Sequence, residues 1–162
     1  MPENNTNKEN IRILVVYHSQ GGHTEKMAKT VTKGAESIGN CTVTLKKAGD
    51  ATTDNLLNCD GLAIGSPEYF GYMAGMIKDF FDRVYEESKE KKELFKKPYV
   101  YFISAGNDGT GAAAHIERIC RGFTLKKVSE PVIATGKITA EILNKCRELG
   151  QLLSAGCEAG VF

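Results

Sequence analysis

No apolar run in this chain approaches the ~20 residues that a helix needs to span a bilayer, and none of its five cysteines belongs to a Cys-x-x-Cys pair. Cys41, Cys59, Cys120, Cys146 and Cys157 are odd in number and widely spaced, which argues against a disulfide framework, a zinc site or an iron–sulfur cluster. They read instead as small buried hydrophobes. Charge of one sign is scarce too. With 21 basic against 20 acidic residues the net charge is +1, so nothing electrostatic calls for nucleic acid or an anionic membrane as a partner. The histidines fare no better as a metal set, because no acidic residue joins His18 and His23 at ligand spacing and His115 is remote. No metal is expected. Residues 1–10 are polar and asparagine-rich, without the apolar or arginine-rich character of a targeting signal. They read as a loose, disordered tail ahead of one domain over residues 11–162, and a cytoplasmic location is expected.

What the chain does have is an abrupt change at residues 15–28, Val-Val-Tyr-His-Ser-Gln-Gly-Gly-His-Thr-Glu-Lys-Met-Ala. A β-branched apolar run over residues 11–17 has the length of a buried strand and stops at hydroxyls, amides and glycines. Gly21 and Gly22 let backbone N–H groups converge on a small anion, and Thr24 opens a helix whose first turn supplies unpaired donors and partial positive charge. Ser19 and Thr24 add hydroxyls. A plain strand-to-helix turn is the competing reading.

Helices and strands then alternate. Met27, Val31, Ala35 and Ile38 recur at helical spacing, and Gly39-Asn40 supplies a stop. Residues 41–45 make a short strand at or near a sheet edge, residues 53–57 a short helix, and residues 61–65 a strand with almost no polar side chain. A second loop follows, Ser66-Pro67-Glu68-Tyr69-Phe70-Gly71-Tyr72, and then an apolar stripe of Met73, Met76, Ile77, Phe80, Phe81 and Val84. The mixed-charge residues 86–97 read as a solvated helix end and loop. Residues 98–103 form a fourth strand, ending in a third glycine-rich loop, Ser104-Ala105-Gly106-Asn107-Asp108-Gly109. Another helix, a less regular fifth strand within residues 125–133 and a closing helix over residues 139–159 complete the chain.

Five strands alternating with helices imply an α/β fold, a doubly wound parallel sheet between two helical layers. In the order 2-1-3-4-5 the first, third and fourth strands are neighbours, so all three special loops meet in one crevice beyond the carboxyl ends of the strands.

With these residues in place, the chain resembles the flavodoxin-like family of flavin mononucleotide (FMN) proteins over nearly its whole length. The spacing of Tyr17, Ser19, Gly22, Thr24 and Ala28 is similar to that family's first loop. Gly65-Ser66-Pro67-Glu68-Tyr69-Phe70-Gly71-Tyr72-Met73, leading to Lys78-Asp79-Phe80-Phe81-Asp82-Arg83, resembles the WrbA-type quinone reductases and their NAD(P)H-dependent FMN reductase relatives more than the electron-carrier flavodoxins. The resemblance gives His18, Ser19, Gln20, Gly21, Gly22, His23 and Thr24 the FMN phosphate. It sets Ser66, Pro67, Glu68, Tyr69, Phe70 and Gly71, with Ser104, Ala105, Gly106, Asn107, Asp108 and Gly109, around the isoalloxazine ring.

Glu68 and Tyr69 stand where the quinone reductases carry a small polar residue and an arginine, and the segment 134–137 is shorter than theirs. Tyr69 or Phe70 is expected to stack on the ring. Glu68 either faces the ring, disfavouring its reduced anionic state by Coulomb repulsion, or points to water. The resemblance implies an enzyme in which NAD(P)H reduces FMN and the electrons pass to a quinone, a flavin or another small acceptor. The alternatives are a one-electron carrier docking to redox proteins and a binding module without redox chemistry. Homo-oligomerisation is left open. A carrier of this fold is by resemblance strongly acidic, and this chain is not.

Overall fold

The computed structural model describes residues 9–162, so most of the expected tail lies outside the described residues. Glu9 and Asn10 are exposed, and each is tied by a hydrogen bond to the chain near Asn40 and Thr42. From there the elements run β1 (Ile11–Tyr17), α1 (His23–Glu36), β2 (Cys41–Lys47), a 3-10 turn at Ala48–Asp50, α2 (Thr53–Asn58), β3 (Gly61–Tyr69) and β4 (Tyr72–Met73). They continue through α3 (Gly75–Ser88), β5 (Pro98–Ala105), α4 (Thr110–Gly122), β6 (Lys126–Lys127), β7 (Val132–Thr135) and α5 (Ala140–Ala159). Among the described residues no helix is long and apolar enough to cross a membrane.

The sheet has the order β2-β1-β3-β5, with β6 and β7 both lying along the far side of β5. Every pairing along this path is parallel. This is the doubly wound order expected from the sequence, with the fifth strand broken in two. Lys126 and Lys127 pair with Pro98 and Tyr99, and Val132 to Thr135 pair with Phe102 to Ala105. Pro131 between them has no N–H to give a ladder, which is why the strand cannot run through.

Period-two alternation sorts the strand side chains into two cores. Leu14, Val16, Leu62, Ile64, Tyr101 and Ile103 pack with Ile77, Phe80, Phe81 and Ile116 on the face covered by α2, α3 and α4. Ile13, Val15, Ala63, Val100 and Phe102 pack with Met27, Val31, Leu149 and Leu153 of α1 and α5 on the other. The α3 stripe is buried as its spacing requires, except that Met76 is partly exposed. In the mixed-charge stretch the sequence reading missed two anchors. Leu94 and Lys97 are buried, and the Lys97 ammonium donates to the carbonyls of Leu56 and Leu57 at the end of α2. There it satisfies helix-terminal acceptors, and its burial pushes its pKa down.

Opposite the broken strand, the Tyr101 hydroxyl donates to Glu117 Oε1 at 2.6 Å and Lys127 Nζ donates to the same oxygen at 2.9 Å. These two partners, Lys127 first, hold the Glu117 carboxyl below its ordinary range. A depressed carboxylate stabilises the fold above its unfolded pKa and loses that contribution as pH falls through the folded value. Glu117→Gln is therefore expected to unfold in acid with a shallower loss of stability than the parent, compared by urea titrations between neutral pH and pH ~3. Glu117→Ala, which strips the buried Tyr101 hydroxyl of its acceptor, is expected to cost about 1–3 kcal/mol even at neutral pH.

Candidate functional site

At the carboxyl ends of β1, β3 and β5 the chain leaves a cavity of about 270 Å³, lined by Ser19, Gln20, Gly21, His23, Thr24, Pro67, Glu68, Tyr69, Ser104, Ala105, Gly106 and Gly136. The three segments singled out in the sequence thus meet at one place. Its first wall is the loop after β1. Gly22 takes φ 96°, where a side chain is strained, and stands at the N-cap of α1 with no side chain to accept from the first turn. Its own N–H donates to Ser19 Oγ at 3.1 Å. The backbone donors of the first turn of α1 consequently stay available to an anion. Thr24 is buried below them, its Oγ1 sharing a 2.8 Å hydrogen bond with Ser104 Oγ, which ties this wall to the end of β5.

The second wall differs from the expected loop. β3 runs on to Tyr69 and turns back into β4, antiparallel, through Phe70 (φ 53°) and Gly71 (φ 70°). Two left-handed residues in a two-residue connection make a type I′ hairpin. Ser66 is fully buried, its hydroxyl donating to the Pro67 carbonyl at 2.7 Å and accepting from the Ala74 N–H at 2.9 Å. It fixes the base of the hairpin to the start of α3.

The hairpin is bolted to α4. Glu68 Oε2 accepts from the Ala112 N–H at 3.0 Å, in the first turn of α4, where the helix dipole favours a carboxylate. A Cβ on Gly111 would lie 2.1 Å from the Gly71 carbonyl oxygen, so helix and turn touch backbone to backbone. Tyr72 packs on His115 with ring centroids 4.5 Å apart, and His115 Nδ1–H donates to the Gly111 carbonyl at 2.7 Å. Across the cavity mouth, the Tyr69 hydroxyl donates to Gln20 Oε1 at 3.1 Å, and the His18 ring sits edge-on to Tyr69 with centroids 6.3 Å apart.

The third wall is the loop after β5. Asp108 Oδ1 accepts from the N–H and hydroxyl of Thr110, bonds that hold its carboxyl below the usual range. Gly109, at φ 74°, caps α4. Asp108 and Gly109 thus shape the loop rather than line the cavity. The same holds for His18, Gly22, Ser66, Gly71 and Asn107, while Phe70 stands outside the mouth. Gly136, which the sequence reading did not place in the site, lines the cavity because its N–H bonds the Ala105 carbonyl at 2.9 Å. The signal for it was positional: a glycine one residue past the end of β7, as in the other loops.

Hydroxyls and backbone N–H groups, with the His23 imidazole and no lysine or arginine, make up the donors of this lining. That set suits a phosphate ester held by hydrogen bonds at a helix start. A Cβ on Gly21 or Gly106 would meet nothing within 4 Å, so both glycines open onto free space that a planar ligand can fill.

The family model described as NADPH-dependent FMN reductase matches residues 39–140. A flavodoxin of Aquifex aeolicus is 42% identical over 73 residues, 45% of this chain and 40% of that protein. The quinone-oxidoreductase QR2 of Triphysaria versicolor is 33% identical over 120 residues, 62% of this chain and 58% of that protein. The chain therefore spans only about half the length of these curated relatives. Among solved structures, a flavodoxin from the domain Archaea superposes with a TM-score of 0.81 at 25% identity, covering 91% of this chain and 99% of that one. A WrbA-like flavodoxin from Agrobacterium tumefaciens superposes with a TM-score of 0.78 at 22% identity, covering 92% and 98%.

Proposed function

The chain belongs to the NADPH-dependent FMN reductase family, and from that premise we propose that it is an FMN-dependent oxidoreductase that takes electrons from NAD(P)H and passes them to a small acceptor, a quinone or a flavin. The observation that carries the reading is the cavity itself, with a phosphate cradle at one end and two glycine-opened walls at the other.

In this reading the first-turn N–H groups of α1, with Ser19, Gly21 and Thr24, hold the phosphate. The buried Thr24–Ser104 hydrogen bond keeps that cradle in register with the end of β5. Pro67 to Tyr69 and Ser104 to Gly106 flank the ring plane. When bound, FMN supplies the redox chemistry: it accepts a hydride equivalent and hands the electrons on. Tyr69 orients by its hydroxyl bond to Gln20 and presents a face to the cavity. The Glu68 carboxylate is committed to the Ala112 N–H, so it positions the hairpin. Its charge is offset by the start of α4.

A second reading, an electron carrier that docks to redox proteins, draws on the flavodoxin relative. The near-neutral net charge favours the enzyme, since charge complementarity is what speeds docking between carriers and their partners. The deciding experiment is a visible spectrum of the protein reconstituted with FMN, followed by anaerobic NADH or NADPH and then a quinone. Rapid bleaching and recovery with quinone is the outcome for the enzyme. A bound flavin that the nicotinamides leave oxidised points to the carrier, and no bound flavin removes both readings.

A further inference from the structure

Phe70 is the residue of the hairpin that the fold does not need. Its ring is fully exposed, at 107% of the reference area, so it contributes to no core. Its backbone sits at φ 53°, a region that costs a non-glycine residue on the order of 1 kcal/mol. The first position of a type I′ turn is met without strain by asparagine, aspartate or glycine. The chain instead carries a large apolar side chain there, strained and in water.

The tip is also held in place without it. Glu68 bonds the first turn of α4, Gly71 meets Gly111 backbone to backbone, Tyr72 packs on His115, and Tyr69 reaches Gln20 across the mouth. The position of Phe70 relative to the cavity is therefore set by its neighbours. It lies one residue, ~3.8 Å along the chain, beyond Tyr69, which lines the cavity. A molecule approaching the open side of a ring seated there meets an uncharged aromatic surface at the rim.

We propose that Phe70 is a docking platform for the second substrate, selecting a planar aromatic electron acceptor of the quinone or free-flavin class by stacking at the cavity mouth. This rests on the cofactor reading above and assigns the acceptor side of the same site. An aromatic face beside an apolar edge favours flat, weakly hydrated π systems, and it has no charge with which to hold a small ionic acceptor.

The test uses Phe70→Asn, which suits the left-handed backbone, and Phe70→Trp, which keeps a π face. Three quantities are measured on each: the FMN dissociation constant, the equilibrium-dialysis affinity of FMN-loaded protein for the redox-inert planar probe 2-naphthoate, and KM and kcat for a naphthoquinone. The expected result for Phe70→Asn is an FMN constant within about twofold of the parent, naphthoate affinity weakened and naphthoquinone KM raised roughly tenfold, with kcat changed much less. Phe70→Trp is expected to restore both. Its thermal midpoint lets Phe70→Asn be judged as folded, and it is expected at or above that of the parent.

Unchanged naphthoate binding and naphthoquinone KM in Phe70→Asn overturns the proposal. So does an FMN constant that rises in parallel, which assigns Phe70 to the cofactor, or a rise confined to the KM of the nicotinamide donor. A parent protein that takes up no FMN brings down the cofactor reading itself, a result distinct from all of these.

Discussion

Replacing Gly106 with leucine is expected to weaken FMN uptake by more than ~100-fold, about 2.7 kcal/mol, while the apoprotein melts within a few degrees of the parent. Both halves follow from one observation. A Cβ built on Gly106 meets no atom within 4 Å, and its φ lies outside the left-handed range, so the unliganded protein accommodates a side chain there without strain. The free space belongs to the cavity, and a leucine would occupy it where the proposed flavin ring lies between Tyr69 and the end of β5.

Gly109, three residues on, is the useful contrast. It sits at φ 74° with a Cβ position 2.7 Å from Ile133 Cγ2, so a side chain there strains loop and core before any ligand arrives. Flavin-fluorescence titration and thermal melts of the apoproteins separate the two cases. A Gly106→Leu protein that binds FMN as tightly as the parent would place the ring elsewhere and sink the assignment of this wall.

Gly150→Val is expected to lower stability by about 3 kcal/mol, or roughly 6–12 °C in the thermal midpoint of a chain this size. Helices α1 and α5 approach so closely that a Cβ on Gly150 would lie 2.0 Å from the Val31 carbonyl oxygen and 2.9 Å from the Ala35 nitrogen. The obstacle is backbone on both counts, so no rotamer change relieves it and the helices must separate. Gly34 makes the reciprocal contact, its Cβ position 2.1 Å from the Arg147 carbonyl oxygen.

Because each substitution forces the same separation, Gly34→Ala and Gly150→Ala are expected to be less than additive in a double-mutant cycle. The effect should also reach the cavity, since the N-terminus of α1 is its first wall. FMN affinity in Gly150→Val is thus expected to fall along with stability, the opposite of the Gly106→Leu pattern. A Gly150→Val protein as stable as the parent, in urea titrations, would remove the close helix contact from the account.

Much of the site was legible before any coordinates, and the reason is local chemistry. The β-branched run that stops at Ser19, Gly21 and Gly22, and its repetition after β3 and β5, locate strand ends without any knowledge of how the strands pair. Other features depended on partners distant in sequence. Ser66 reads as a loop hydroxyl until its bonds to Pro67 and Ala74 bury it. Glu68 reads as a charge facing the ring or water until α4, more than forty residues away, supplies the Ala112 N–H. Lys97 sits in a run of lysines and glutamates whose pattern says solvent, and only the approach of α2 gives its ammonium a reason to be buried.

By itself the sequence determined the alternation of strands and helices, the faces they bury and the three loops that carry polar chemistry, because apolar periodicity and turn residues act over a few neighbours. The tertiary structure alone decided which polar groups are spent on the fold and which remain for a ligand. Hydrogen-bond partners in a doubly wound sheet come from segments far apart in the chain, so Ser66, Glu68 and Asp108 are committed to hairpin and helix starts. The first turn of α1 and the open sides of Gly21 and Gly106 are left to face the cavity.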